Sequence, residues 1–291
     1  MGYFVRMKDV EIWLNSLDTL RDRYQLTDIW IQAFDSFTGF NSKGAVNLSH
    51  ESLIRFDKAD TLSAWIRQIC FNRKIRIDAR QPYASGRFSH GRFTCLLDNI
   101  CADGDQLFIR FNNHHEKIFF QDDKNKLEKF EANFSKFHWL ICGPSGSGKS
   151  SFLKKIIDSH YQAERIVVFE RFKELHLDCP YVTHLTELQN EVSGVQGTSM
   201  EELVDIGFRL NSTKFVVGEI RNREFRNFVQ LALSGHGQVL ATFHCDSFCS
   251  LIKRLQLIDY QGYERLKDKL GAVFLKRKQN IFLVDKVVTP K

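Results

Sequence analysis

Residues 137–156 read FHWLICGPSGSGKSSFLKKI, an apolar run that breaks into a glycine-rich octapeptide and resumes at helical spacing. The octapeptide fits GxxxxGK[ST], with Gly143, Gly148, Lys149 and Ser150 at its fixed positions. Each residue type answers a need of phosphate binding. Glycines let the backbone turn its N–H groups inward, the lysine reaches the β- and γ-phosphates, and the serine hydroxyl ligates Mg²⁺. The helix that follows points its positive end at the anion. The expected nucleotide contacts are Gly143, Pro144, Ser145, Gly146, Ser147, Gly148, Lys149, Ser150 and Ser151, with a nucleotide and Mg²⁺ as the species held.

Working outward, the pattern on either side of this loop predicts an α/β domain. Strands are expected at 137–142, 165–170, 214–219 and 238–243, and helices at 149–160, 200–210 and 222–233. Strands alternating with helices imply a mainly parallel sheet with right-handed crossovers. Before it, residues 1–112 read as a small α+β domain. Val10, Trp13, Leu14, Leu17 and Leu20 share one helical face, and Leu62, Trp65, Ile66 and Ile69 share another. RFSHGRFTCLL reads as a hairpin around His90-Gly91. Residues 113–136 are charged and poor in aliphatics, which predicts a linker, and residues 137–291 form the phosphate-binding domain.

Composition narrows the class. In 291 residues, 43% are hydrophobic and 26% charged, ordinary for a globular core. No apolar stretch approaches the roughly 18 residues that cross a bilayer, and the opening residues lack a signal-peptide core, so a cytoplasmic location is expected. Seven cysteines without a CxxC pair point to free thiols. The net charge of +6 is dispersed among acids, so no direct nucleic-acid partner is expected.

Two later stretches bear on the reaction. KFVVGEIR is an apolar strand ending in an acid, with Gly218 where many phosphate-loop proteins carry an aspartate for the metal. Glu219 is therefore the candidate to orient or deprotonate an attacking water. SGHGQVLATFH places His236 after a glycine and His244 at a strand end, the latter expected on the same sheet edge as the loop.

Together GPSGSGKS, VVGEIRNREF and SGHGQVLATFHCDS, with Arg254-Leu255 downstream, resemble the Walker A, Walker B and His boxes of the secretion ATPases. That superfamily serves type II and type IV secretion and pilus assembly and retraction. IVVFERFKEL falls where the family has its Asp box, and LTDIWIQ, RIDARQPYASGRFSHGRF and LFIRF are similar to the amino-terminal domain of the CpaF tight-adherence branch and its type IV secretion relatives. The resemblance implies a RecA-like phosphate-loop domain preceded by a PAS-like α+β domain. It further implies a homohexameric ring, hydrolysis of Mg-ATP, and an inner-membrane platform protein as partner at the cytoplasmic face. It assigns Lys149 and Ser150 to phosphate and metal, Glu170 to the Asp box, Glu219 to catalysis and His244 to sensing. Arg87, Arg92 and Arg110 match arginines of the small domain, and Arg209 and Arg221 match arginines near Walker B. The chain departs from the pattern at Arg171, where the Asp box normally has a second acid. An alternative reading is a nucleotide-binding ring component with little hydrolysis; a nucleic-acid translocase is a more distant one.

Overall fold

The computed structural model describes residues 7–32, 34–51, 56, 59–111, 120–121, 124–187, 197–278 and 281–290. It divides into two units, the first within Met1–Glu116 and the second comprising Lys117–Leu188 and Thr198–Lys291.

The first unit contains α1 (Met7–Tyr24), β1 (Asp28–Gln32), β2 (Ser36–Asn41), β3 (Gly44–Asn47), α2 (Ala59–Asn72), β4 (Tyr83–Phe88), β5 (Gly91–Leu96) and β6 (Gln106–Phe111). Its strands form an antiparallel sheet in the order β3-β2-β1-β6-β5-β4. Strict alternation along β1, β4 and β5 buries one face, and both helices contribute to the core on that face. Val10, Leu14, Leu17 and Leu20 of α1 meet Leu62, Ile66 and Ile69 of α2 with Ile29, Phe93 and Ile109 of the sheet. The helical spacing read from sequence therefore marks the buried stripes.

The second unit continues with β7 (Phe120–Gln121), α3 (Lys124–Glu131), β8 (His138–Cys142), α4 (Lys149–His160), β9 (Ile166–Glu170), β10 (Val182–Thr186), α5 (Met200–Phe208), β11 (Lys214–Ile220), α6 (Glu224–Leu233), β12 (Gln238–Phe243), α7 (Phe248–Leu266), β13 (Leu270–Lys278) and β14 (Ile281–Val288). Its eight strands run in the order β10-β9-β11-β12-β8-β13-β14-β7. Pairing is parallel except between β13 and β14. Helices cover both faces, which is why β8 and β9 read as nearly continuous apolar runs. One core packs Phe215, Phe225, Phe228 and Leu251 from β11, α6 and α7. The other packs Phe130, Trp139, Phe152 and Leu153 from α3, β8 and α4.

The expected linker is corrected over its second half. α3 and the 3-10 turn Phe134–Lys136 belong to the second unit, because Phe130 and Phe134 are buried and the Phe130 ring lies 4.7 Å from Trp139 and 6.0 Å from Phe152. The charges of the stretch mask two phenylalanines, one on α3 and one on the 3-10 turn, whose rings lie 5.3 Å apart. The remaining part of that expectation, residues 113–119 and 122–123, lies outside the described residues.

Candidate nucleotide site

The central order β9-β11-β12-β8 places the carboxyl ends of four neighbouring parallel strands along one edge. Ligands of open α/β sheets bind at that edge. The phosphate loop follows β8, His244 follows β12, Glu219 lies near the end of β11 and Glu170 ends β9.

The loop is shaped by three positive-φ glycines: Gly143 at +155°, Gly146 at +71° and Gly148 at +84°. A side chain at Gly143 would collide with Ser147 Oγ at 2.5 Å and with the Leu275 carbonyl at 2.6 Å, so the turn is closed around bare backbone. Ser147 is buried, and its Oγ has no hydrogen-bond partner among the described residues. Lys149 opens α4 and is buried; its Nζ donates to the carbonyls of Gly143 (3.0 Å) and Pro144 (2.8 Å). Burial holds its ammonium below the usual lysine range, against the pull of Glu219. A buried cation held by carbonyls, and a serine hydroxyl without a partner among the described residues, suit an incoming anion. Pro144, Ser145, Gly146 and Ser150 are exposed along the same turn and the helix start.

Glu219 is placed by a β-bulge. The pairing of β11 with β12 runs Val217 to Ala241 and then Ile220 to Phe243, so Gly218 and Glu219 occupy a register shift. Bulges re-aim a side chain at the cost of a ladder bond. Here the Gly218 carbonyl, displaced from the ladder, accepts a bond from Thr242 Oγ1 at 2.5 Å. The Glu219 carboxylate meets His244 Nε2 at 3.0 Å and Arg221 Nε at 2.8 Å. Burial raises its pKa, but Arg221, His244 and Lys149 together outweigh that and hold it below the usual carboxylate range. His244 is held below its ordinary value by burial and then by Lys149, against Glu219. At neutral pH the arrangement is an ionised carboxylate accepting from a neutral imidazole.

Glu170 is placed differently from its expected role. It is 5% exposed, with Oε1 accepting from the backbone N–H of Glu174 and Leu175, both at 2.9 Å, and Oε2 lying 3.2 Å from His184 Nδ1. Its carboxylate holds the loop after β9 and a histidine of β10. Arg171 turns out to Glu187, at 3.5 Å. The bare Gly218 backbone makes room for Glu170, since a Cβ there would lie 2.8 Å from its Cγ.

Two expected residues sit at the opposite edge. His236 precedes β12, a strand of six residues and therefore about 20 Å long, whereas His244 follows it. The His236 ring packs on Phe208 at 5.3 Å. Arg209 caps the carboxyl end of α5, just before β11 begins, and is exposed. Both positions follow from the crossovers: segments that lead into a parallel strand arrive at its amino end.

In the first unit, the register brings Arg87 opposite Arg92, Arg92 opposite Arg110 and Arg110 opposite Asp28. Four strands thus carry one cross-strand row on the face away from the core, ended by an Arg110–Asp28 ion pair of 2.6 Å. Like charges directly opposite one another repel, so the row is a concentrated cationic feature of that face.

Comparison with known proteins decides the family. The family model described as type II/IV secretion system protein matches residues 104–279, more than half of the chain. The chain belongs to the type II/IV secretion system protein family. It is 29% identical over 138 residues to protein VirB11 of Agrobacterium tumefaciens, covering 46% of this chain and 40% of that protein. It is 31% identical over 127 residues to the type IV secretion system protein PtlH of Bordetella pertussis, covering 42% and 36%. These matches span about two fifths of the length of the curated relatives. In structure it resembles the pilus retraction motor PilT, with a TM-score of 0.63 and 16% identity over 95% of this chain and 82% of that one. It also resembles the ATPase DotB of Legionella pneumophila, with a TM-score of 0.58 and 15% identity over 94% and 79%. These likenesses establish the secretion-family fold, RecA-like in its phosphate-loop unit.

Proposed function

We propose that this chain is the ATP-hydrolysing motor of a pilus or secretion machine, with the tight-adherence pilus and type IV secretion branch as the nearest setting. The observation that carries the reading is the Glu219–His244 pair at the same sheet edge as the phosphate loop and its buried Lys149. Lys149 and the loop amides would bind the triphosphate, Glu219 would orient or deprotonate water, and His244 would respond to the terminal phosphate. Ser150, exposed at the start of α4, would hold Mg²⁺, whose charge neutralises the phosphates.

The chain is proposed to act as a homo-oligomeric ring, a hexamer by family resemblance, at the cytoplasmic face of a membrane and against a platform protein. No helix among the described residues is long and apolar enough to cross a membrane. The arginine row of the first unit and Arg221 are the candidate cations for the transferring phosphoryl group; a guanidinium supplied there contributes roughly 10³ to 10⁵ in rate. Phosphate release by the purified oligomer, set beside its size with and without ATP, tests the reading. Background-level release with Mg-ATP bound would overturn hydrolysis.

A second reading, a nucleotide-binding ring component with little turnover, is favoured by Glu170. Its oxygens are engaged by Glu174, Leu175 and His184, and its neighbour is a cation in place of a second acid. Tight ATP binding without turnover would select it.

A further inference from the structure

Arg254 lies in the second turn of α7, whose amino end is capped by Ser247 accepting from Ser250 N. Helical side chains lean toward the amino terminus, so this guanidinium reaches back over the segment that leads into the helix. There Nη1 donates to the carbonyl of His244, and Nη2 donates to the carbonyl of Arg221 at 3.4 Å. The flat group also lies over the Phe243 ring, 4.7 Å from its centroid. His244 and Arg221 each stand one residue beyond the last paired residues of β12 and β11, Phe243 and Ile220. The two strands leave the ladder just after the bulge that carries Glu219, and the chain paths then diverge into α7 and α6. One side chain therefore bridges both exits.

We propose that Arg254 is a positioning residue for the Glu219–His244 pair: its forked guanidinium ties the carbonyl of His244 to that of Arg221 and fixes the two strand ends from which the pair projects. This rests on the reading of Glu219 and His244 as the hydrolytic pair. The chemistry selects arginine. Two divergent carbonyls and an aromatic face need a planar cation with several donors, and a lysine ammonium can satisfy the charge but not the fork. The hydrogen bonds of Arg254 go to backbone carbonyls, so it acts through backbone placement, and misplacement by about 1 Å costs on the order of 10²-fold in rate.

The test is a double-mutant cycle with a second readout independent of turnover. Arg254→Gln is expected to lower kcat about tenfold or more with KM for ATP within about twofold, and Arg254→Lys to fall between it and wild type. In a His244→Ala background the same Arg254→Gln change is expected to cost less than about twofold, because the two changes disable one arrangement. The independent readout is the rate at which diethyl pyrocarbonate modifies His244, followed by peptide mapping. Arg254→Gln is expected to raise it about threefold or more while leaving that of His160 on α4 unchanged. Equal losses in both backgrounds, Arg254→Lys matching wild type, or an unchanged His244 rate would each overturn the proposal. If wild-type protein released no phosphate yet His244 became more reactive in Arg254→Gln, the hydrolytic reading would fail and the positioning role would stand.

Discussion

His244 Nε2 lies 3.0 Å from Glu219 Oε1 although 25 residues separate them, because β11 and β12 are parallel neighbours whose ends share one edge. Under the proposed function, turnover is expected to depend on the Glu219 carboxylate. Glu219→Gln keeps the shape and removes the charge, so nucleotide binding should persist while hydrolysis falls about 10²- to 10⁴-fold. Fluorescent-nucleotide titration alongside phosphate release checks it; wild-type turnover in the variant would end the assignment.

Among the described residues Lys149 donates to two loop carbonyls, which positions its ammonium to be drawn out by phosphate. Lys149→Ala should weaken ATP binding by about tenfold or more, a loss on the scale of one charge-assisted contact. The protein should otherwise fold, since of the two carbonyls it leaves that of Pro144 lies on an exposed turn. Isothermal titration together with thermal unfolding separates the two effects.

Gly218 leaves room for the buried Glu170. In Gly218→Ala the new methyl group would meet Glu170 Cγ at 2.8 Å, displacing a carboxylate that holds Glu174, Leu175 and His184. A loss of about 1–3 kcal/mol is expected from overpacking. Urea unfolding of the variant provides the number, and an unchanged midpoint would show that the loop after β9 can move aside freely.

The arginine row makes a prediction of opposite sign for stability and rate. Arg87→Gln breaks the like-charged cross-strand pairing with Arg92, so the first unit should gain or keep stability, by up to about 1 kcal/mol. If the row serves phosphoryl transfer, turnover should fall by about 10²-fold or more in the same protein. Melting temperature and steady-state rate measured on one preparation test both halves.

His138 opens β8, and its Nδ1 accepts from the N–H of Val239 at 3.0 Å. Burial, with Lys269 nearby, lowers its pKa from 6.5 to about 4. The unfolded chain therefore binds a proton that the folded chain refuses, and the contribution is complete above pH 6.5 and lost as pH falls toward 4. A partly buried ring contributes about 1–3 kcal/mol over that window. His138→Gln should flatten the acid limb of a stability profile measured by denaturant unfolding; an unchanged limb would assign it to other groups.

From the amino-acid sequence alone came the features that depend on near neighbours. The phosphate loop, its glycines and Lys149 lie within eight residues, α4 keeps its expected bounds, and the stripes of α1 and α2 mark their buried faces, because turn geometry and helical period are local. Glu219 and His244 were legible as candidates through the apolar strands that end in them. Tertiary structure decided which strand ends meet. It brought Glu219 to His244 and left His236 and Arg209 at the far edge, since a crossover, not a motif, determines the end of the strand at which a residue arrives. It engaged Glu170 with backbone N–H groups and His184, and it folded α3 against Trp139 where the charge pattern suggested a linker. It also carried Arg254 to the carbonyls of both strand exits. Those contacts span distant segments, and pairing across a sheet is governed by packing between segments that one-dimensional spacing does not encode.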